Sequence, residues 1–125
     1  MKAEILATGD EIRSGALVDT NSAYIAEKLE ETGIAVQRHN CAGDDATVLE
    51  AVIQEISGRA DICVVTGGLG PTTDDITAEA AAAAAGKDLV EDEKALSMIA
   101  AFFAARNREM TASNRKQALV PRGSK

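Results

Sequence analysis

Residues 61–75 read DICVVTGGLGPTTDD, and this stretch decides the fold class of the chain. Its first part, Asp61 to Thr66, is a contiguous apolar run of the kind that forms a parallel strand covered by helices on both faces. Glycine then occupies positions 67, 68 and 70. An alanine-rich stretch follows and predicts a helix from about Asp75 to Ala85, closed by Gly86. A buried strand, a glycine-rich loop and a helix in this order are typical of parallel α/β proteins.

The chain before residue 61 shows the same alternation of strand and helix. Ala3 to Thr8 predicts a buried strand, and Asp10 to Asp19 predicts a loop. The remaining predictions are a helix from a cap at Thr20 or Asn21 to about Thr32, a strand from Ile34 to Arg38, and a helix from Asp44 or Asp45 to Gly58. This alternation predicts parallel strands joined by right-handed crossovers, and hence a three-layer α/β/α fold with a mostly parallel sheet.

The chain after Gly86 shows helical periodicity and no clear strand pattern. A long helix is predicted from about Glu91 to Arg108, with Phe102 and Phe103 in the core. A short helix is predicted from Thr111 to Ala118, with no further strand after it. We therefore interpret residues 1–125 as a single domain.

Composition excludes several classes of function. With 125 residues, of which 46% are hydrophobic, the chain can form a core without disulfides or a structural metal. The net charge of −7 argues against a nucleic-acid partner, and no apolar run approaches the roughly 18 residues of a membrane span. Cys41 and Cys63 lack the paired spacing of a zinc site and are interpreted as reduced thiols. Because Glu4 also argues against a secretory leader, we expect a cytoplasmic protein with no membrane partner.

Ligands of open parallel sheets bind beyond the carboxyl ends of the strands, where the winding reverses. If the strand order begins 2-1-3, the loops after the first and third strands flank that crevice. The glycines of the second loop favour close approach of an anion such as phosphate. Asp74 and Asp75 follow directly and would repel it unless a divalent cation of the magnesium type lay between them. Asp10 and Glu11 of the first loop would supply further ligands or a general base.

Simpler explanations of the same residues stay open. The glycine loop can be a tight turn only, and Asp75 can be a helix cap rather than a metal ligand. Thr72 and Thr73 can donate to phosphate or to the backbone. The spacing matches neither the dinucleotide fingerprint nor the P-loop, so no nicotinamide dinucleotide or ATPase function is predicted.

Three segments carry a resemblance to a known family. They are Gly9-Asp10-Glu11 followed by Gly15, Asp19, Thr20 and Asn21; the run TGGLGPTTDDIT from Thr66 to Thr77; and the run NRKQA from Asn114 to Ala118. In these segments the chain resembles the N-terminal domain of the competence/damage-inducible CinA family, which is similar to molybdopterin-binding domains of the MoaB and MogA type. The resemblance covers essentially the whole chain and implies their fold. It also implies that the domain is C-terminally truncated, lacking its last strand and helix.

The resemblance implies a metal-dependent hydrolase of a nucleoside diphosphate sugar, which cleaves ADP-ribose to AMP and ribose 5-phosphate. Divalent Mg, Mn or Co is the implied cofactor. Carried onto this sequence, the phosphate cradle would be Gly67, Gly68, Gly70, Thr72 and Thr73, with Asn21 as a further candidate. Asp74 or Asp75 would hold the metal, Asp10 or Glu11 would ligate it or position water, and Arg115 and Lys116 would neutralise the leaving phosphate.

Two other functions stay open. The same glycine loop would serve a binding module for molybdopterin or a phosphorylated pterin, which needs no metal. A non-catalytic oligomerisation unit that regulates a partner enzyme is the third possibility, with Phe102 and Phe103 as a dimer face. The resemblance further implies a homo-oligomer, and no deamidase activity, because the C-terminal nicotinamide mononucleotide deamidase domain of full CinA proteins is absent here.

Overall fold

Five strands and six helices follow one another in the computed structural model, which describes residues Met1 to Lys125. The strands are β1 (Lys2–Thr8), β2 (Ala35–Ala42), β3 (Ile62–Thr66), β4 (Leu89–Glu91) and β5 (Leu119–Pro121). The helices are α1 (Asp10–Arg13), α2 (Thr20–Glu31), α3 (Ala46–Ser57), α4 (Thr77–Ala84), α5 (Glu93–Ala104) and α6 (Ala112–Arg115). A 3₁₀ turn over Lys116–Ala118 joins α6 to β5.

The main sheet is parallel and has the strand order β2-β1-β3. The chain crosses from β1 to β2 in one direction and from β2 to β3 in the other. Right-handed crossovers in opposite directions place α2 and α3 on opposite faces of the sheet. The predicted three-layer α/β/α architecture is therefore confirmed, and the strand order meets the condition on which the predicted ligand crevice depended. It brings the carboxyl ends of β1 and β3 side by side, with Ala7 opposite Thr66.

The core lies between the sheet and the helices α3 and α4. Its fully buried cluster consists of Leu6, Ala42, Leu49, Ile56 and Ala80. The small side chains of Ala80 and Ala82 are buried on α4, which lets that helix pack closely. Because α4 directly follows the glycine loop, this packing fixes the position at which the loop ends.

A buried carboxylate near the other end of β1 forms an ion pair with a more exposed arginine. Glu4 is 2% exposed, and its carboxylate accepts hydrogen bonds from Arg59 at 2.7 and 3.0 Å and from the Asn40 side chain at 2.9 Å. The hydrogen bonds from Arg59 hold the pKa of Glu4 below its usual value, although burial opposes this. Glu4 therefore contributes stability in its ionised form.

A second, antiparallel sheet corrects the prediction that no strand follows Ala118, and it also contains β4, which was not predicted. β4 pairs with β5, with Val90 opposite Val120. Each strand has only three residues, which is too short to show an alternating pattern. The pairing joins segments that are far apart in sequence, so neither segment predicts it alone.

The prediction that both phenylalanines are core residues is wrong for Phe102, which is 52% exposed. Helix α5 contains no buried residue, because it packs on the short 3₁₀ turn rather than on the main sheet. Phe103 is half-buried and meets the Phe102 ring edge to face, with centroids 5.4 Å apart. The Arg106 guanidinium lies 3.6 Å from the Phe102 ring centroid, a cation–π contact that partly covers the ring.

Several boundaries also differ from the predictions. The predicted loop after β1 contains the one-turn helix α1, and β2 continues to Ala42. The Asp19 side chain caps α2 by accepting from the Ser22 amide, so neither Thr20 nor Asn21 is the cap. Asp45 caps α3, which was one of the two predicted positions. None of the helices has the length and apolarity that crossing a bilayer requires.

Candidate functional site

The loops after β1 and β3 meet at the carboxyl edge of the sheet, as the strand order predicted. Gly67 lies directly against Thr8: a Cβ on Gly67 would be 2.6 Å from both the Thr8 carbonyl oxygen and Oγ1. Gly67 also has a φ of +91°, which side chains disfavour. Glycine at this position therefore allows both the close approach and the turn.

Three consecutive carbonyls of the glycine loop are held by threonine groups beneath it. Thr8 Oγ1 donates to the Thr66 carbonyl at 3.1 Å, and Thr77 Oγ1 donates to the Gly67 carbonyl at 2.8 Å. The Thr77 amide donates to the Gly68 carbonyl at 3.1 Å. These bonds turn the three carbonyls toward β1 and the start of α4.

The amides of Gly67, Gly68 and Leu69 point the opposite way, because the N–H of a trans peptide lies opposite its C=O. None of these three amides donates to an acceptor in the protein. Consecutive free N–H groups around left-handed glycines form a concavity that attracts anions. The loop therefore has a geometry that suits an anionic group such as phosphate.

Asp75 is ionised and is not the cap of α4. Its Oδ2 accepts from Thr72 Oγ1 at 2.7 Å and from the Thr72 amide at 2.9 Å. These bonds, with smaller contributions from a Gly70 backbone hydrogen bond and from the Lys116 charge, hold the pKa of Asp75 below its usual value, although burial opposes this. The second oxygen, Oδ1, takes part in neither bond. The capping alternative is excluded, since the N-cap of α4 is Ile76 and has no side-chain capping bond.

Two residues of the 3₁₀ turn tie the glycine loop to the second sheet. Lys116 Nζ donates to the carbonyls of Thr72 and Asp75, and Gln117 Nε2 donates to the Leu69 carbonyl at 3.3 Å. An ammonium group has three protons, so one remains for a ligand. Lys116 therefore orders the loop and also brings a positive charge to it.

A cavity of about 390 Å³ lies beside the loop, between α4 and β5. Its polar lining residues include Gly68, Gly70, Asp75, Thr77 and Lys116. Its apolar lining residues include Val65, Leu69, Ala78, Leu119 and Pro121. Such a site suits a ligand that combines an apolar ring with an anionic group.

Arg115 does not line this cavity. Its guanidinium binds the Glu91 carboxylate on β4 at 2.6 and 2.9 Å, and this pairing lowers the pKa of Glu91. The charge of Arg115 is thus paired with Glu91 on the second sheet. Its predicted contact with a leaving phosphate stays a prediction.

The two acidic residues that follow β1 contact nearby residues and make no hydrogen bond to the glycine loop. Asp10 Oδ1 accepts from the Asp44 amide at 3.2 Å and lies 3.5 Å from Arg13 Nε. The Glu11 carboxylate folds back over Gly9, where a Cβ would be 2.7 Å from Glu11 Oε1. Asp10 therefore links the loops after β1 and β2.

The remaining candidates are exposed. Thr72 and Thr73 line a shallower cavity of about 430 Å³ on another side of Lys116. Asn21 and Asp74 are exposed and make no side-chain hydrogen bond. No group of three or more His, Cys, Asp or Glu side chains is placed to hold a metal, so Asp10, Asp74 and Asp75 do not form one ligand set. A magnesium ion here would need substrate oxygens and water besides Asp75.

The sequence did not predict that Thr8 and Gln117 donate hydrogen bonds to the glycine loop. Thr8 is a polar residue at the end of a buried strand, directly before a glycine, and this position was the available signal. Gln117 lies beside Lys116 in the NRKQA segment, but nothing in that segment indicates that its amide reaches a carbonyl 48 residues away.

The fold and the loop together define the class of protein. Residues 4–122 match the family described as a probable molybdopterin binding domain. Within that class, the chain superposes on the structure of the protein CinA from Thermoplasma acidophilum with a TM-score of 0.90 and 34% identity, covering 99% of this chain and 72% of that one. The chain belongs to the CinA family of molybdopterin-binding-like domains.

Of two further comparisons, the first concerns the family and the second concerns the fold alone. A CinA-like protein of Desulfosudis oleivorans is 52% identical over 124 residues, which is 99% of this chain and 30% of that protein. The chain thus spans less than a third of the length of this relative. The molybdopterin biosynthesis enzyme MoaB of Thermus thermophilus shares the fold, with a TM-score of 0.64 at 19% identity over 94% of this chain and 72% of that one.

Proposed function

We propose that this domain binds a phosphorylated pterin of the molybdopterin type, with its phosphate on the glycine loop. The observation that carries the proposal is the set of three free amides at Gly67, Gly68 and Leu69. The family match supports a pterin ligand, and it favours binding over the hydrolysis implied by the sequence resemblance. Lys116 would add one charged hydrogen bond to the same phosphate.

The cavity supports the proposal beyond the phosphate. Val65, Leu69 and Pro121 form an apolar wall against which a pterin ring would pack. Its size is within the lower part of the range for small-molecule sites. The phosphate and the ring would thus be recognised by different parts of one site.

Anaerobic isothermal titration with molybdopterin tests this proposal. We expect binding that persists in the presence of EDTA, because main-chain amides need no metal to hold phosphate. Absence of binding, or binding that a chelator abolishes, would contradict the proposal.

A second candidate function is metal-dependent hydrolysis of a nucleoside diphosphate sugar such as ADP-ribose. The observation that favours it is the ionised Asp75 beside the anion cradle, with Oδ1 outside the Thr72 bonds. A bound Mg²⁺, Mn²⁺ or Co²⁺ would supply charge neutralisation for the diphosphate, held by Asp75 together with substrate oxygens. Water would form a bond to one phosphorus while the bridging P–O bond breaks, giving AMP and ribose 5-phosphate. Asp74, Asp10 and Glu11 stay predictions for metal binding and for the base.

Phosphorus NMR of ADP-ribose with each metal, and with EDTA as control, tests this candidate. Asp75→Asn is expected to abolish any turnover. The matched control is Glu79→Gln, which removes an exposed carboxylate from the first turn of α4 and should leave turnover unchanged. An intact diphosphate with every metal would contradict hydrolysis by this chain.

A further inference from the structure

We propose that Thr8 and Thr77 are positioning residues that fix the peptide orientation of the glycine loop, so that it presents amides rather than carbonyls to its ligand. Thr77 also lines the cavity, but in this scheme neither hydroxyl donates to the ligand, because each donates to a loop carbonyl. The proposal rests on the proposed phosphate binding for its functional consequence. Its structural part stands on the hydrogen bonds beneath the loop.

The protons of the two hydroxyl groups are both committed to the loop. Each threonine residue is 5% exposed, so water is not the main partner of either hydroxyl. Each hydroxyl has one proton, which Thr8 gives to the Thr66 carbonyl and Thr77 gives to the Gly67 carbonyl. The two Oγ1 atoms are 3.5 Å apart, which is longer than either distance to a carbonyl and favours donation to the loop. The two hydroxyl groups therefore hold two different carbonyls of the loop.

The loop needs such donors because its backbone has little preference of its own. Gly67 and Gly68 are free to adopt many backbone conformations, and a rotated peptide would exchange an outward N–H for an outward carbonyl oxygen. An outward carbonyl repels phosphate, whereas an outward amide attracts it. The hydroxyl bonds favour the orientation that attracts anions. Thr77 acts twice, since its amide also holds the Gly68 carbonyl.

Packing alone does not require these hydroxyls. Valine has nearly the shape of threonine, and the rest of β1 beyond Lys2 is buried with mostly apolar side chains. A buried hydroxyl at this place is therefore best explained by the bonds that it makes. Replacing threonine by valine, which removes the hydroxyl and nearly keeps the shape, therefore provides the test variants.

The experiment compares Thr77→Val and Thr8→Val with Thr77→Ser and Thr8→Ser. Ser22→Ala is the matched control, because Ser22 Oγ is a buried hydroxyl oxygen without a hydrogen-bond partner. In ¹H–¹⁵N spectra, we expect shifted or broadened amide signals of residues 67–69 in the valine variants only. Inorganic pyrophosphate should bind about tenfold more weakly to Thr77→Val, since oriented donors to a charged group are lost, with affinity restored in Thr77→Ser.

The spectra and the affinities fail in distinguishable ways. Folded valine variants whose residue 67–69 signals match the wild type would overturn the inference, whatever their affinity. A serine variant as perturbed as its valine counterpart would also overturn it, because the hydroxyl would then not be the cause. Wild-type protein that binds no pyrophosphate would count against the proposed function, while the spectra would still decide the inference. If Thr77→Val does not fold, the Thr8 pair decides it.

Discussion

Gly68→Ala should destabilise the domain and disable the loop, and Gly86→Ala provides its matched control. Both glycines have left-handed backbones, with φ values of +68° and +63°. Alanine therefore carries the same conformational penalty at both, on the order of 1 kcal/mol. The surroundings differ: a Cβ on Gly86 meets no atom within 4 Å, whereas a Cβ on Gly68 would overlap Thr77 Oγ1.

The overlap sets the size of the difference. To relieve it, Thr77 must move, which breaks its bonds to the Gly67 and Gly68 carbonyls at about 1 kcal/mol each. Gly68→Ala should thus be less stable than Gly86→Ala by about 2 kcal/mol, or roughly 8 °C in Tm. Urea and thermal unfolding measure the difference in stability, and pyrophosphate titration measures whether the loop still binds phosphate. Equal stability of the two variants, or unimpaired binding by Gly68→Ala, would show that the Thr77 contact does not hold the loop.

Three further predictions concern other parts of the molecule. Ionised Glu4 stabilises the fold above its ordinary pKa of 4.5, so stability should fall as pH drops below that value and Glu4→Gln should flatten this dependence in urea melts. Leu49→Ala should cost about 2–5 kcal/mol, whereas Phe102→Ser should cost under about 1 kcal/mol, because only Leu49 is buried. Lys116→Met removes the hydrogen bonds that Lys116 donates to the Thr72 and Asp75 carbonyls. It should weaken pyrophosphate binding about tenfold in calorimetry, with an NMR spectrum of the folded variant as control.

The main sheet and its helices could be predicted because their signals are local. The contiguous apolar run before Gly67 and the 3.6-residue periodicity of α2 and α3 each lie within one segment. β4 and β5 could not be predicted, since each is too short for periodicity and is stabilised by a distant partner. The exposure of Phe102 likewise depends on where α5 packs and not on its spacing.

The sequence predicted which loops form the candidate site, but only part of how their side chains are arranged. The strand order and the glycines place the two loops together, which general rules of parallel sheets anticipate. Which charges reach the loop depends on partners distant in sequence. Arg115 binds Glu91, 24 residues away, and Asp10 binds the Asp44 amide, 34 residues away. The outward direction of the loop amides depends on peptide planes that no sequence pattern reveals.

A ¹H–¹⁵N titration of the domain with pyrophosphate in the presence of EDTA tests most directly whether main-chain amides of the glycine loop hold a phosphate group without a metal. We predict that the largest saturable shifts occur at the amides of Gly67, Gly68 and Leu69. Saturable binding whose shifts lie elsewhere, or the absence of any shift at these amides, would contradict the claim.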